Sequence, residues 1–154
     1  MNSEPLSRNR HHPLEGIERQ NIKITDLKVT LLSVEYPPEE QLLVGKGIWW
    51  KSDSIIVEIF TDHGIVGIGG SSRYSGEGCC IPVKTFLEAI VKPALVGKNP
   101  FDVHKLAWGG GSGVGRSAWA GAEAAMFDIV GKVSGRPVYD LLAVDAEPNT
   151  HLRV

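Results

Sequence analysis

Ala122–Leu142 reads AEAAMFDIVGKVSGRPVYDLL, a helix, a stop and a second short helix in one run. Ala118, Gly121, Ala122, Ala125, Met126, Ile129 and Val133 recur at three- and four-residue steps, the period of one helical face. Most of that face is small, so another backbone can come close to it. Asp128 and Lys132 stand at i,i+4, a pairing worth only about 0.2–0.5 kcal/mol. Gly135 suits the left-handed residue that ends a helix, and Pro137 forbids continuation. Val138–Leu142 then makes one more turn, and the chain stops twelve residues later at Val154.

Upstream, the period changes from helix to strand. Ile22–Tyr36 alternates at Ile22 and Ile24 and then at Leu27, Val29 and Leu31, a long strand with an irregularity near Asp26. Pro37-Pro38 ends it, and a connection longer than a hairpin needs runs to Asp53. Ser54–Thr61 (SIIVEIFT) and Ile65–Gly70 (IVGIGG) are two strands joined by Asp62-His63-Gly64, an antiparallel hairpin. Pro82 opens a helix with Val83, Phe86, Leu87, Ile90 and Val91 on one face, which Pro93 ends or bends. Gly97 begins a turn, Pro100 opens a short helix through Trp108, Gly109–Gly115 reads as a loop, and Ser117 or a neighbour starts the long helix. Three strands followed by helices is an α+β order: a three-stranded antiparallel β-meander followed by a small helical bundle. It is not the alternation of a nucleotide-binding sheet.

The chain has 154 residues, 42% of them hydrophobic, which suits one domain with a real core. Its net charge of −2 gives no basic face for nucleic acid. There is no run of some 18 apolar residues, so no membrane span is expected, and Met1–Gln20 lacks the apolar centre of a signal peptide. That polar arm, carrying His11 and His12, is read as a mobile or partner-docked extension. Cys79 and Cys80 are adjacent, a poor geometry for a disulfide, so two free thiols and a reducing, cytoplasmic setting are expected.

The order and spacing of KITDLKVTLLS, IIVEIFTDHGIVGIG, FLEAIVKPALVGKNP with FDVHKLAW, and AAMFDIVGKVSGRPVYDLLA resemble the N-terminal capping domain of the enolase superfamily, in the mandelate racemase and muconate lactonizing enzyme branch. The resemblance covers most of Ile22–Leu142. It implies a polar arm over residues 1–21, a capping domain over 22–143, and a tail or the start of a barrel over 144–154, the catalytic barrel itself lying outside this chain. Many members carry Gly-x-Gly-Glu after the third strand, where this chain has Gly67-Ile68-Gly69-Gly70. Members often continue Leu-Leu-Gly-Gly, where this chain has Leu141-Leu142-Ala143-Val144.

In that family three barrel carboxylates hold Mg²⁺, and a Lys or His removes the proton α to a substrate carboxylate. The resemblance therefore implies Mg²⁺ for the complete enzyme, an acid-sugar dehydratase or a racemase, and no cofactor, metal or catalytic residue in this chain. It implies two specificity loops, Pro37–Asp53 and Ser71–Cys80. The first carries Lys46, Trp49, Trp50 and Lys51, a cation and an aromatic wall for a carboxylate-bearing small molecule. The tryptophans equally suit packing on the barrel or on a neighbouring subunit. The second carries Arg73, Tyr74 and Glu77, with Arg73 either a polar substrate contact or an interface arginine. The implied partners are a barrel domain or chain and a second copy, because an uncovered apolar face marks an interaction surface. A stand-alone binding module or a gene fragment is the alternative.

Two other patterns invite a functional reading. Gly110–Ser117 has the spacing G-x-x-x-x-G-K-S with Arg116 for Lys, but the preceding DVHKLAW looks helical where a phosphate loop follows a strand. His63 and His104 have no second ligand at metal spacing, so structural or solvated roles fit both.

Overall fold

The computed structural model describes residues 14, 16–45, 47–72, 80–106 and 113–142. Strand β1 spans Ile24–Glu35, β4 Lys51–Thr61 and β5 Val66–Ser72, an antiparallel meander in the order β1-β4-β5. Between β1 and β4 the long connection folds on itself: Pro38–Glu40 forms a 3-10 turn, and β2 (Leu42–Val44) pairs with β3 (Gly47–Trp49). The architecture is α+β, and no (β/α) barrel occurs among the described residues.

The irregularity near Asp26 is a register shift against β4, between Ile24↔Thr61 and Asp26↔Phe60. Its cause is the spacing of the apolar residues. Ile24 and Leu27 are both fully buried, three residues apart, and an alternating strand turns both inward only by inserting one extra residue. Asp26, left at the bulge, accepts the Leu27 N–H and ion-pairs with Lys92. β4 starts three residues earlier than its apolar run, because Lys51, Ser52 and Asp53 complete the ladder opposite Glu35, Val34 and Ser33.

Helix α1 spans Ile81–Phe86 and α2 spans Lys92–Leu95, with a π-helical turn at Leu87–Val91 between them. Pro93 does not end this helix. Its ring would meet a carbonyl one turn back, and the wider turn, in which Lys92 N–H reaches Leu87 O, removes the clash. Gly97 turns at φ +81°, and the turn pairs with the start of β1 through Gly97 N–H to Ile24 O and Ile24 N–H to Lys98 O. Pro100–Asp102 is a 3-10 turn capped by Asn99, and α3 is Val103–Leu106.

The long helix α4 spans Gly113–Ser134, starting four residues before Ser117, so Gly113 and Gly115 are helical rather than part of a loop. Glycine is a weak helix former, but Gly115 is buried and the turn is held by packing rather than propensity. Gly135, at φ +66°, stops α4, with Arg136 N–H returning to Gly131 O, and α5 is Val138–Leu142.

The core lies between the sheet and the helices. Leu27, Ile55, Val57 and Ile59 of the sheet form one cluster with Val83, Leu87, Val91 and Leu95 and with Ala118, Ala122, Ala125, Met126 and Ile129 of α4. Glycines of β5 set the approach. A Cβ on Gly67 would stand 2.1 Å from Ala125 O, and none can fit there without moving backbone. α4 also closes the free edge of β5: Asp128 Oδ2 accepts the Ile68 N–H at 2.8 Å, and Lys132 Nζ donates to Val66 O at 2.8 Å. Asp128 and Lys132 are themselves 2.7 Å apart, as their spacing predicts. At the other side, Leu14 and Ile17 pack on the core, and Arg19 grips Asp102 through two 2.7 Å hydrogen bonds.

Candidate functional site

The two expected loops leave the sheet at the same end. Glu35 is registered with Lys51 where the first begins and finishes, and Ser72 is registered with Ser54 where the second begins. The start of α4 comes to that end too, through a 2.5 Å hydrogen bond from Ser71 Oγ to Ser117 O. Between Ser54–Ile56 and Gly70–Ser71 of the sheet and Arg116–Ala120 of α4 lies an open cleft of about 680 Å³. Gly70 lines it. A Cβ there would meet nothing within 4 Å, so the departure from Gly-x-Gly-Glu at Gly70 is not forced by packing, unlike the glycines before it.

The first loop is an arm rather than a slack connection. Tyr36 N–H donates to Trp50 O at 2.8 Å, which closes its root, and Gln41 Nε2 donates to Tyr36 O. The β2–β3 hairpin projects beyond that root. Leu42, Leu43, Ile48 and Trp50 are exposed on it, Leu43 by 82% and Trp50 by 48%. So much exposed apolar surface on a closed arm is what an interaction element carries.

Of the expected contact residues, Trp49 is half-buried at the end of β3, opposite Leu42, and Trp50, its neighbour in sequence, is half-exposed. Lys46, Arg73 and Tyr74, with Glu77, lie outside the described residues. Lys51 Nζ stands 5.3 Å from the centre of the Trp50 ring and 3.0 Å from Asp53 Oδ2. Asp53 Oδ1 accepts from Ser33 Oγ at 2.6 Å. Asp53 and Ser33 did not stand out in the sequence, because the apolar run of β4 begins only after them. Lys51 and Asp53 at i,i+2, in phase with Ile55, Val57 and Ile59, were the available signal.

The remaining candidates have local roles. His63 Nδ1 lies 2.9 Å from Asp62 Oδ1 in the β4–β5 turn. The backbone N–H of Lys23, and after it His63, holds the Asp62 carboxyl below the usual carboxylate range. His104 stands exposed on α3. Cys80 is a buried thiol at the start of α1, and Cys79 lies outside the described residues. The phosphate-loop spacing does not follow a strand: Val103–Leu106 before it is helix, and α4 is already formed at Gly113. Among the described residues no group of three His, Cys, Asp or Glu side chains could hold a metal ion, so these donors do not fit Mg²⁺. No described helix is long and apolar enough to cross a membrane.

Comparison with known proteins agrees with this geometry. Residues 29–143 match the mandelate racemase / muconate lactonizing enzyme N-terminal domain. The chain is similar to D-xylonate dehydratase of Haloferax volcanii, 33% identical over 140 residues, which covers 85% of this chain and 28% of that enzyme. It is similar to N-succinyl-L-Arg/Lys racemase of Bacillus cereus, 32% identical over 127 residues, covering 79% of this chain and 33% of that one. Among solved structures it resembles the dipeptide epimerase of Enterococcus faecalis complexed with Mg and the dipeptide L-Leu-L-Tyr, with a TM-score of 0.62, 28% identity, and coverage of 78% of this chain and 34% of that one. The chain thus spans about a third of the length of these proteins.

Proposed function

The chain belongs to the mandelate racemase / muconate lactonizing enzyme branch of the enolase superfamily, as its N-terminal domain, and we propose on that premise that it caps the catalytic barrel of an acid-sugar dehydratase or racemase. The barrel is supplied by the rest of a longer protein or by a partner chain, and brings the Mg²⁺ and the catalytic groups. This domain brings the walls. Residues 22–143 act as the cap, residues 1–21 as an arm, and residues 144–154 as the passage toward the barrel.

The observation that carries this reading is the hairpin arm. Its root is closed by Tyr36 and Trp50, its strands expose Leu42, Leu43 and Ile48, and it leaves the sheet at the same end as Ser72 and the cleft beside Gly70. A barrel mouth lying at that end would be bounded by both loops. Trp49 and Trp50 would exclude water from it, and Lys46, Arg73 and Tyr74 would supply the polar contacts to a carboxylate-bearing substrate. The relatives act on sugar acids and on an acylated amino acid by name, which suits a polar, anionic small molecule here. A homo-oligomer and a cytoplasmic setting accompany the proposal, the latter suited to two adjacent cysteines, a poor geometry for a disulfide.

The test is reconstitution. The chain is co-expressed with the barrel of D-xylonate dehydratase lacking its own N-terminal domain, and Mg²⁺-dependent dehydration is assayed on a panel of aldonates. Activity restored by this chain, with a substrate order altered by Trp50→Ala, supports the capping role. A stable complex whose activity and substrate order ignore both loops refutes it.

A further inference from the structure

We infer that Asp53 is a positioning residue for Trp50: it holds the Lys51 ammonium against the indole and ties that pair to Ser33 on β1, so the arm presents its aromatic face in one pose. The capping role gives this pose its use, but the geometry of the clamp does not depend on it.

The strand itself sets up the arrangement. Lys51 and Asp53 are two residues apart on β4 and so project from the same face. Ser33 is the registered partner of Asp53 on β1 and shares that face. Further along, the same face carries Ile55, Val57 and Ile59 into the core. The polar trio therefore continues the core face outward, beyond the last buried apolar residue and up to the root of the arm.

Each member constrains the next. The Asp53 side chain is only 8% exposed, and a carboxylate so far withdrawn from water must be matched by donors. Ser33 Oγ donates to one oxygen at 2.6 Å, and Lys51 Nζ pairs with the other at 3.0 Å. Lys51 is registered with Glu35 across the ladder, yet its ammonium runs along its own strand to Asp53. That choice places it 5.3 Å from the centre of the Trp50 ring, within reach of the ring's negative face. Trp50 is fixed at its backbone too, since its carbonyl accepts the Tyr36 N–H.

Lys51 is thus not the arm's spare cation. Its charge is matched by Asp53, and what the arm offers outward is the half-exposed indole, with Leu43 and Ile48 also exposed on the hairpin. A pre-set aromatic wall needs no ordering when a barrel or ligand arrives, which favours binding by lowering its entropic cost.

The experiment uses the full chain and reads Trp50 alone. Acrylamide quenching is measured for the wild type and for Lys51→Ala, Asp53→Asn, Ser33→Ala and Lys51→Arg. Each is compared with the same protein carrying Trp50→Phe, so that the difference is the Trp50 signal. We expect Lys51→Ala and Asp53→Asn to raise Trp50 quenching by about twofold, the double variant to do no more than either single, and Lys51→Arg to restore the wild-type value. Additive effects, or quenching in Asp53→Asn equal to wild type, overturn the inference. Should Asp53→Asn not fold, Ser33→Ala must shift the quenching in the same direction as Lys51→Ala, and no shift overturns it. Unchanged quenching defeats the clamp and leaves the capping role standing. Unchanged substrate order in a reconstituted Trp50→Phe enzyme defeats Trp50's capping use and leaves the clamp standing.

Discussion

A Cβ placed on Gly69 of β5 would stand 2.0 Å from the carbonyl oxygen of Gly121 on α4. The neighbour is helix backbone on one side and sheet backbone on the other, so neither can turn aside. Gly69→Ala must push α4 off the sheet and should cost about 3 kcal/mol, the upper range for overpacking. Gly70→Ala, one residue on and facing open space, should change stability by less than about 0.5 kcal/mol. Urea unfolding of the two variants side by side checks the contrast. Equal losses would mean that the close approach of α4 to β5 is not what fixes the glycines.

Asp128 and Lys132 seal the edge of β5 from α4. Asp128→Ala leaves the Ile68 N–H without its acceptor and should cost about 1–2 kcal/mol. Amide exchange at Ile68 should speed up more than at residues of β4, and the opened edge should raise the tendency to associate. Exchange at Ile68 that stays as slow as in the wild type would contradict the seal.

The end of α4 depends on one backbone angle. Gly135→Ala forces a side chain onto φ +66° and should cost about 1 kcal/mol. Gly135→Asn should recover part of the loss, because asparagine tolerates that conformation. Thermal melts of the pair check it, and an Ala variant as stable as wild type would show that the helix stops some other way.

Acid should loosen the attachment of the N-terminal arm. The hydrogen bonds from Arg19 hold the Asp102 carboxyl below its usual range, with burial opposing. A carboxylate whose folded-state pKa is depressed stabilises the fold above its unfolded value, near pH 4, and loses that contribution as pH falls through the depressed folded value. The stability gap between wild type and Asp102→Asn should therefore be open at pH 6 and close below about pH 4. Arg19→Ala should behave the same way. The pH dependence of the urea midpoint reads this, and a gap that widens in acid would have the wrong sign.

How far the sequence discloses the fold is visible residue by residue. The phase break between Ile24 and Leu27 foretells the bulge, and Asp128, Lys132, Gly135 and Pro137 foretell how α4 pairs and stops. These are local rules, each acting within a few residues. The start of α4 at Gly113 is not local. Glycines are poor helix formers, and only burial against the rest of the domain makes that turn helical. The continuation of helix through Pro93 is hidden for the same reason, since a π turn is chosen by packing on either side. In the candidate site, Trp49 and Trp50 are legible as aromatic residues in a long loop. The clamp behind them is not, because Ser33 and Asp53 are 20 residues apart and meet only through the β1–β4 register.

The central claim is that this chain shapes a site but does none of its chemistry. The direct measurement incubates the purified chain with Mg²⁺ and a panel of aldonates in D₂O, following the C2 proton by NMR. The account predicts no Mg²⁺-dependent exchange at C2 from the chain alone. Exchange that requires the chain and Mg²⁺, and survives removal of any contaminating enzyme, would contradict it.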